Sequence, residues 1–427
     1  MAKIIQTVQT PGVYLNETSA FPGDVPPIST AVPAFVGYTE KAVQGGNDIT
    51  NTPVRIGSLT EYQGVFGGAP PSIQVKKGAP LPIVPGQFFL YHSLQLYFAN
   101  GGTACYIVSI GDYSHDPVMG DFFSKPAAGA TRSNKPVGID ALVREAEPTL
   151  LLAPDAVLLD ADDCFQVQRY MLTHCAALQN RFAILDIHNG FQGRAPGEND
   201  VIKAFRDNMT DPDTFRWGAA YYPWLRSSFL LKEPSSLLPP SAAIAGIYCA
   251  TDQNRGVFHA PANVSIVQAT GLAVPINDHQ QEDLNTPFDG KAVNAIRNFA
   301  GQGILVWGAR TLDGNSQDWR YIPVRRTVIY IEQSIKNLLE PYVFSANTQA
   351  TWTAVKAMAE NFLTGLWRDG GLAGATAQDA FFVQVGLGST MTNEDILNGF
   401  MNMTIGVAIT RPAEFIVLTF QQQMQAS

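Results

Sequence analysis

Six histidines and four cysteines, with the carboxylates near them, are the residues of this 427-residue chain best suited to chemistry. His92, His115, His174, His188, His259 and His279 form no His-Glu-x-x-His pair, so the zinc-protease pattern is absent. His174 abuts Cys175 on a predicted helix, and neighbouring helical residues diverge by about 100°, so the two are expected to pack and not to share a metal. Cys164 and Cys175 match no zinc spacing. Asp186-Ile187-His188 is the best acid–base candidate, because it follows a predicted strand, where α/β enzymes place catalytic groups. The competing reading is that both side chains hydrogen-bond the turn. There is no Gly-x-Ser-x-Gly elbow, and the Gly386–Thr390 stretch lacks the spacing and lysine of a phosphate loop. Met401 and Met403 read as core. Arg325-Arg326 is too short for a nucleic-acid patch, and one of the pair is expected to face an acid in the fold. These observations predict no enzyme and no cofactor.

Apolar residues make up 46% of the chain and charged residues only 15%, against a usual ~25%. So little charge implies a large core or a surface covered by partners. The net charge of −9 argues against a broad basic face for nucleic acid. The charge is uneven. From Thr286 onward ten basic residues meet eleven acidic ones, so the first 285 residues carry nearly all the acidic excess. That part is expected to face solvent, and the near-neutral remainder to tolerate copies of itself alongside. The four cysteines make no disulfide framework, the N-terminus predicts no signal peptide, and no apolar run approaches the ~20 residues of a membrane span.

The predicted elements are mixed α/β (α+β). Residues 1–30 read as a β arm and proline-rich linker; "AVPAFVGYT" is the first core strand. "GSLTEYQGVFGG" predicts a short helix, and "FFLYHSLQLYFANGGTACYIVSI" a helix, a Gly101-Gly102 stop and a buried strand. A surface excursion is expected at about 111–147. "PTLLLAPDA", "RFAILD", "WGAAYYPWL" and "AAIAGIYCATD" read as strands, with a helix over 164–182 burying Val167, Met171, Cys175 and Leu178. "GILVWGART" and "RYIPVRR" read as a paired strand unit. Two helices follow, with stripes at Val328, Ile331, Ile335, Leu338 and Tyr342, and at Trp352, Val355, Ala359, Phe362 and Leu366. Thr392 and Asp395 form a capping box. "MNMTIGVAI" alternates strictly. The expected division is an arm at 1–30, an outer domain or domains at 31–285 and an inner domain at 286–427.

The uncharged Phe415-Ile416-Val417-Leu418-Thr419-Phe420 lies only seven residues from Ser427. Such a segment is a template for pairing with another chain.

Several stretches together resemble the contractile tail sheath family, with the flavour of bacterial extracellular contractile injection systems. They are "QTPGVYLNET", "AAIAGIYCATDQNRGVFHAPAN", Leu284–Arg326, "ENFLTGLWRDGGLAGATAQDAFFVQVG" and "RPAEFIVLTF". The resemblance is firm over about 242–427, good over 1–40 and thin between. It implies a multi-domain sheath subunit: an inner C-terminal α/β domain carries exchanged terminal strands, and an outer α/β domain is inserted before it. It also implies a structural, non-enzymatic role, in stacked hexameric rings that contract around an inner tube and drive it through a target envelope.

The partners implied are further copies, the tube, a baseplate and a terminal cap, with no nucleic acid and no membrane insertion. Assembly is expected in the bacterial cytoplasm, in a phage tail-like particle that is released or membrane-anchored. The donated strands would be Ile4, Ile5, Val8, Val13, Tyr14 and Leu15 at one end, and Phe415, Ile416, Val417, Leu418 and Phe420 at the other. The acceptor sheet would combine Ile304, Val306 and Trp307 with Met401, Met403, Ile405 and Val407. The helix at 393–398 would touch the tube through Glu394, Asp395 and Asn398; the plainer reading of its acids is helix-dipole compensation. The competing functions are an α/β enzyme using Asp186 and His188, and a monomeric adhesin or carbohydrate-binding protein.

Overall fold

The computed structural model describes residues 28–71, 87–124, 136–195, 197–230 and 237–415. The predicted N-terminal strand, and residues 416–420 of the C-terminal one, lie outside them.

Short, nearly continuous apolar runs favour strands buried on both faces. Among the described residues nine strands form one mixed sheet: β1 (Pro33–Gly37), β2 (Val54–Ile56), β3 (Cys105–Ser109), β4 (Leu150–Leu152), β5 (Phe182–Asp186), β6 (Gly218–Tyr222), β7 (Val264–Ser265), β8 (Val293–Phe299) and β9 (Gly303–Val306). Their spatial order is β7-β9-β8-β6-β5-β4-β1-β3-β2. The six strands from β8 to β3 are parallel, with Phe35 opposite both Ile107 and Leu152. Antiparallel strands finish both margins. The helices that cover the sheet include α1 (Leu59–Phe66), α2 (Leu90–Ala99), α3 (Ala161–Leu178) and α4 (Ser241–Arg255). α3 buries Val167, Met171 and Cys175, as its periodicity predicts. The predicted surface excursion carries Phe122, Phe123, Ile139 and Leu142 into the core.

α4 corrects the reading of "AAIAGIYCATD" as a strand. Residues 241–249 are all buried, so the run is apolar on every side and has no period to separate helix from strand. Its alanines favour a helix, and Pro240 at the N-cap was the missed start signal. Small residues let α4 lie against α2. A Cβ on Gly246 would come 2.5 Å from the backbone oxygen of Tyr97.

A second core begins further along the chain than expected. α5 (Ile322–Leu339) buries Ile329 in the large core but Ile331 and Ile335 in a separate cluster. That cluster is completed by Ala359, Leu363 and Leu366 of α6 (Gln349–Arg368), Val383 of β10 (Phe381–Val385) and Ile405 of β11 (Met403–Val407). The division drawn at 285/286 therefore cuts through the large sheet, since β8 and β9 lie beyond it. The core changes at about residue 330, within α5. An 18-residue helix is about 27 Å long, enough to act as a strut between the two cores. The expected "RYIPVRR" strand is also corrected. Tyr321 makes a single bridge to Arg310, and the helix starts at Ile322 with Pro323 in its first turn. The stripes are offset slightly: Ile329 and Leu363 are buried where Val328 and Phe362 were expected to be.

Candidate assembly interface

The carboxyl edge of the parallel strands, where α/β enzymes bind ligands, is filled by structural hydrogen bonds. Asp155, just past β4, accepts N–H bonds from Tyr38 (2.8 Å), Phe89 (2.6 Å) and Leu90 (3.2 Å), and so caps α2. Asp186, at the end of β5, accepts the Ser241 N–H at 2.8 Å and caps α4. Burial pushes the Asp155 carboxyl up to about 6 and that of Asp186 up to about 7, against the pull of these donors. His188 points away from Asp186's role: its Nε2 meets the Leu159 carbonyl at 3.1 Å, and burial lowers its basicity. His174 pairs with Arg181, and burial lowers it to about 4. A cleft of about 360 Å³ opens between α3 and residues 209–215, lined by Arg169, Tyr170, Met209 and Phe215, and neither Asp186 nor His188 lines it. Among the described residues, no cluster of three or more His, Cys, Asp or Glu could hold a metal. The four cysteines are free and buried.

The predicted acceptor residues separate. Ile304 and Val306 belong to β9, which is bonded on one side to β8 and on the other to β7. Trp307 packs against Phe299 with the rings tilted and their centroids 4.5 Å apart. Met403, Ile405 and Val407 lie in β11, which forms a two-stranded antiparallel sheet with β10. β9 thus has no edge left for another strand and cannot share a sheet with β11. The β10–β11 pair keeps an outer edge on each strand among the described residues. Two strands are a marginal sheet unless further strands or a helix cover them, and here α6 covers one face.

α7 (Asn393–Leu397) carries the predicted acids. Asp395 is committed to the capping box: its Oδ2 accepts from the Thr392 N–H and hydroxyl, both at 2.7 Å. Glu394 and Asn398 face solvent, as do Leu397 and Phe400.

Sequence reasoning missed the two points where the terminal segments join this body. Glu414, one residue before the exposed Phe415, is held by Arg310: Nε donates to both carboxylate oxygens (3.0 and 3.2 Å) and Nη2 to Oε2 (2.6 Å). Asn285 and the Tyr321 hydroxyl donate to the same carboxylate at 2.7 and 3.1 Å. Thr30, near the first described residue, donates its hydroxyl to Asp252 at 2.5 Å, and its carbonyl accepts from Arg326 Nη2 at 3.0 Å. Arg326 itself grips Asp252 at 2.6 and 2.9 Å, which meets the expectation that one of the paired arginines faces an acid. Arg325 is wedged between Trp217 and Trp319 and reaches Glu332. The one available signal at Glu414 was a lone acid among apolar residues.

A family profile described as the phage tail sheath C-terminal domain matches residues 315–423, which include α5, α6, the β10–β11 sheet and Glu414. The fold is similar over its whole length to a chain in the PVC sheath complex of an extracellular contractile injection system, solved by cryo-EM in the contracted state. That chain is 32% identical, covers 98% of this chain, is itself covered to 99%, and superposes with a TM-score of 0.65. The chain belongs to the contractile tail sheath family. A second similar chain comes from the 6-fold symmetrised cryo-EM structure of the anti-feeding prophage baseplate: 33% identity, 98% and 100% coverage, TM-score 0.69. The putative prophage major tail sheath protein of Pseudomonas aeruginosa is 24% identical over 249 residues, covering 56% of this chain and 58% of that protein. This sheath chain spans about half the length of the curated relatives it matches. It is a structural sheath subunit with a mixed α/β fold. Among its described residues no helix is long and apolar enough to cross a membrane.

Proposed function

We propose that this subunit polymerises as stacked hexameric rings around an inner tube, and that the sheath contracts to drive the tube through a target envelope. The observation that carries the reading is the β10–β11 sheet, which keeps open edges among the described residues, in a chain whose residues 415–420 are a charge-free strand sequence. Strand addition supplies main-chain hydrogen bonds that survive rigid-body movement of everything else. Ile4, Ile5, Val8, Val13, Tyr14 and Leu15 of one neighbour, and Phe415, Ile416, Val417, Leu418 and Phe420 of another, would extend this sheet beside Met401, Met403, Ile405 and Val407. Head-to-tail donation is a heterologous contact and generates open helical polymers. The second core, from about residue 330, would be the inner domain facing the tube, and the acidic large-sheet body would face outward.

A baseplate and a terminal cap would close the two ends of the polymer. Assembly would take place in the bacterial cytoplasm. The energy for contraction would be stored in an extended polymer that is kinetically trapped, without nucleotide.

The test is negative-stain microscopy of the full chain, expressed alone and with its tube partner. Long hollow cylinders are expected. Val417→Pro, which removes a ladder N–H from the donated strand, should abolish them while the subunit stays folded by circular dichroism. Cylinders of normal yield from that variant would overturn strand exchange.

A further inference from the structure

Both terminal segments meet the folded body at a buried ion pair. At the C-terminal end, Arg310 is 3% exposed and Glu414 19%. At the N-terminal end, Arg326 and Asp252 are 3% and 4% exposed. Each pair is tied into the large body. The Asn294 side chain, on the buried strand β8, accepts the Arg310 N–H at 2.8 Å and donates to the Arg310 carbonyl at 2.7 Å and to the Ala220 carbonyl of β6 at 3.2 Å. Arg326 lies over the Tyr248 ring at 4.6 Å, and Tyr248 hydrogen-bonds Tyr221 of β6 at 2.8 Å. A continuous path of contacts therefore runs from β6 of the parallel sheet to Glu414 on one side and to Thr30 on the other.

The C-terminal route shows why this matters. After β11, Thr410 still bonds to the small body, its N–H to Gly371 and its hydroxyl to Gly370. Four residues later Glu414 is clamped to the large body. The chain thus crosses between the two cores, and among the described residues its last side-chain hold is on the large body and not on the marginal two-stranded sheet. A carboxylate with a bidentate arginine and two further donors has little freedom to shift.

We infer that Arg310–Glu414 and Arg326–Asp252 are the anchors of the exchanged strands: they fix where each strand leaves its subunit and carry the pull of the neighbours into the large sheet. The inference rests on the strand-exchange reading above. Glu414 and Asp252 are positioning residues, since neither belongs to the strand that is donated.

The first test leaves the ion pair intact. Two glycines are inserted in the full chain, either after the anchor (between Glu414 and Phe415) or before it (between Thr410 and Arg411). Slack after the anchor lengthens the tether of the donated strand, so polymer yield by pelleting should fall about threefold to fivefold, as effective concentration drops. Slack before the anchor is absorbed between Thr410 and Glu414 and should leave yield within about twofold. Equal effects of the two insertions, or a larger effect of the earlier one, would overturn the anchor. Arg310→Met with Glu414→Met removes both charges together. It should keep the fold while reducing yield like the later insertion, and a wild-type yield from it would count against the anchor as well. Val417→Pro separates the two ideas: if its polymers persist, strand exchange fails and the anchor with it; if they vanish while the later insertion assembles normally, the anchor alone fails.

Discussion

Arg310, in the loop after β9, and Glu414, the last acidic residue of the chain, are joined at 2.6 Å between Nη2 and Oε2. They are 104 residues apart in sequence. Burial alone would raise the Glu414 carboxyl, but the bonds from Arg310 and Asn285 outweigh it and hold it below the usual range.

The two partners should respond unequally to removal. Glu414→Ala leaves the guanidinium of Arg310 buried and uncompensated, which should cost about 3 kcal/mol. Arg310→Ala leaves Glu414 near the chain end, free to turn to solvent, and should cost about 1 kcal/mol. Guanidinium unfolding of the unassembled subunit measures both. Equal losses would mean that Glu414 is as confined as its partner.

The same carboxylate sets an acid limit. Its folded value lies below its unfolded one, so the stability it contributes is present above about pH 4.5 and is lost as pH falls through the folded value. Wild type should lose more stability than Glu414→Gln between pH 5 and about 3. Parallel pH curves would show that the pair is not ionised in the folded subunit.

Asp155 and Asp186 act in the opposite direction. Their folded values, about 6 and about 7, lie above the unfolded value near 3.8, so the folded state binds the extra protons in between. Stability from these groups falls as pH rises from about 4 to about 7 and is level beyond. Asp186→Asn still offers an oxygen to the Ser241 N–H and cannot ionise. Its melting temperature should gain on wild type between pH 4.5 and pH 7.5, with assembly unchanged. A gain that is constant across this range would place the Asp186 titration elsewhere.

The approach of α4 to α2 leaves no room at Gly246. Gly246→Ala drives a methyl against the Tyr97 carbonyl and must part the two helices, at a cost of about 1–3 kcal/mol. Gly64→Ala, on exposed α1 with open space around it, is the control and should be neutral or slightly stabilising. Thermal melts of the two variants make the comparison.

On α7 the neighbouring acids should separate by role. Asp395→Asn weakens the capping box and should cost about 1 kcal/mol of subunit stability. Glu394→Lys should leave the melt unchanged and reduce co-pelleting with a basic tube. If only Asp395 affects co-pelleting, the acids of α7 serve the helix and not the tube.

Much of this architecture was determined by local sequence. Runs such as "FAILD" and "AFVG" are short, apolar and β-forming, so they become buried strands wherever the chain places them. The stripes of α5 and α6, the Gly101 stop and the Thr392 capping box are all settled within a few residues, because a helix face and a cap are local geometry. The order of long motif-like segments carried the family.

Three things were decided only in three dimensions. The run at 242–252 is buried on every side and has no period to read, and its close packing on α2 at Gly246 is visible only in the fold. β9 lost its part in the acceptor sheet because strands 264–265 and 293–299 occupy both of its edges, and edge occupancy depends on partners far away in sequence. Glu414 lies within a family-like stretch, but nothing local shows its pairing with Arg310, or that of Thr30 with Arg326 and Asp252. Each joins residues separated by at least 74 positions, and only the closed fold brings a buried arginine to a chain end.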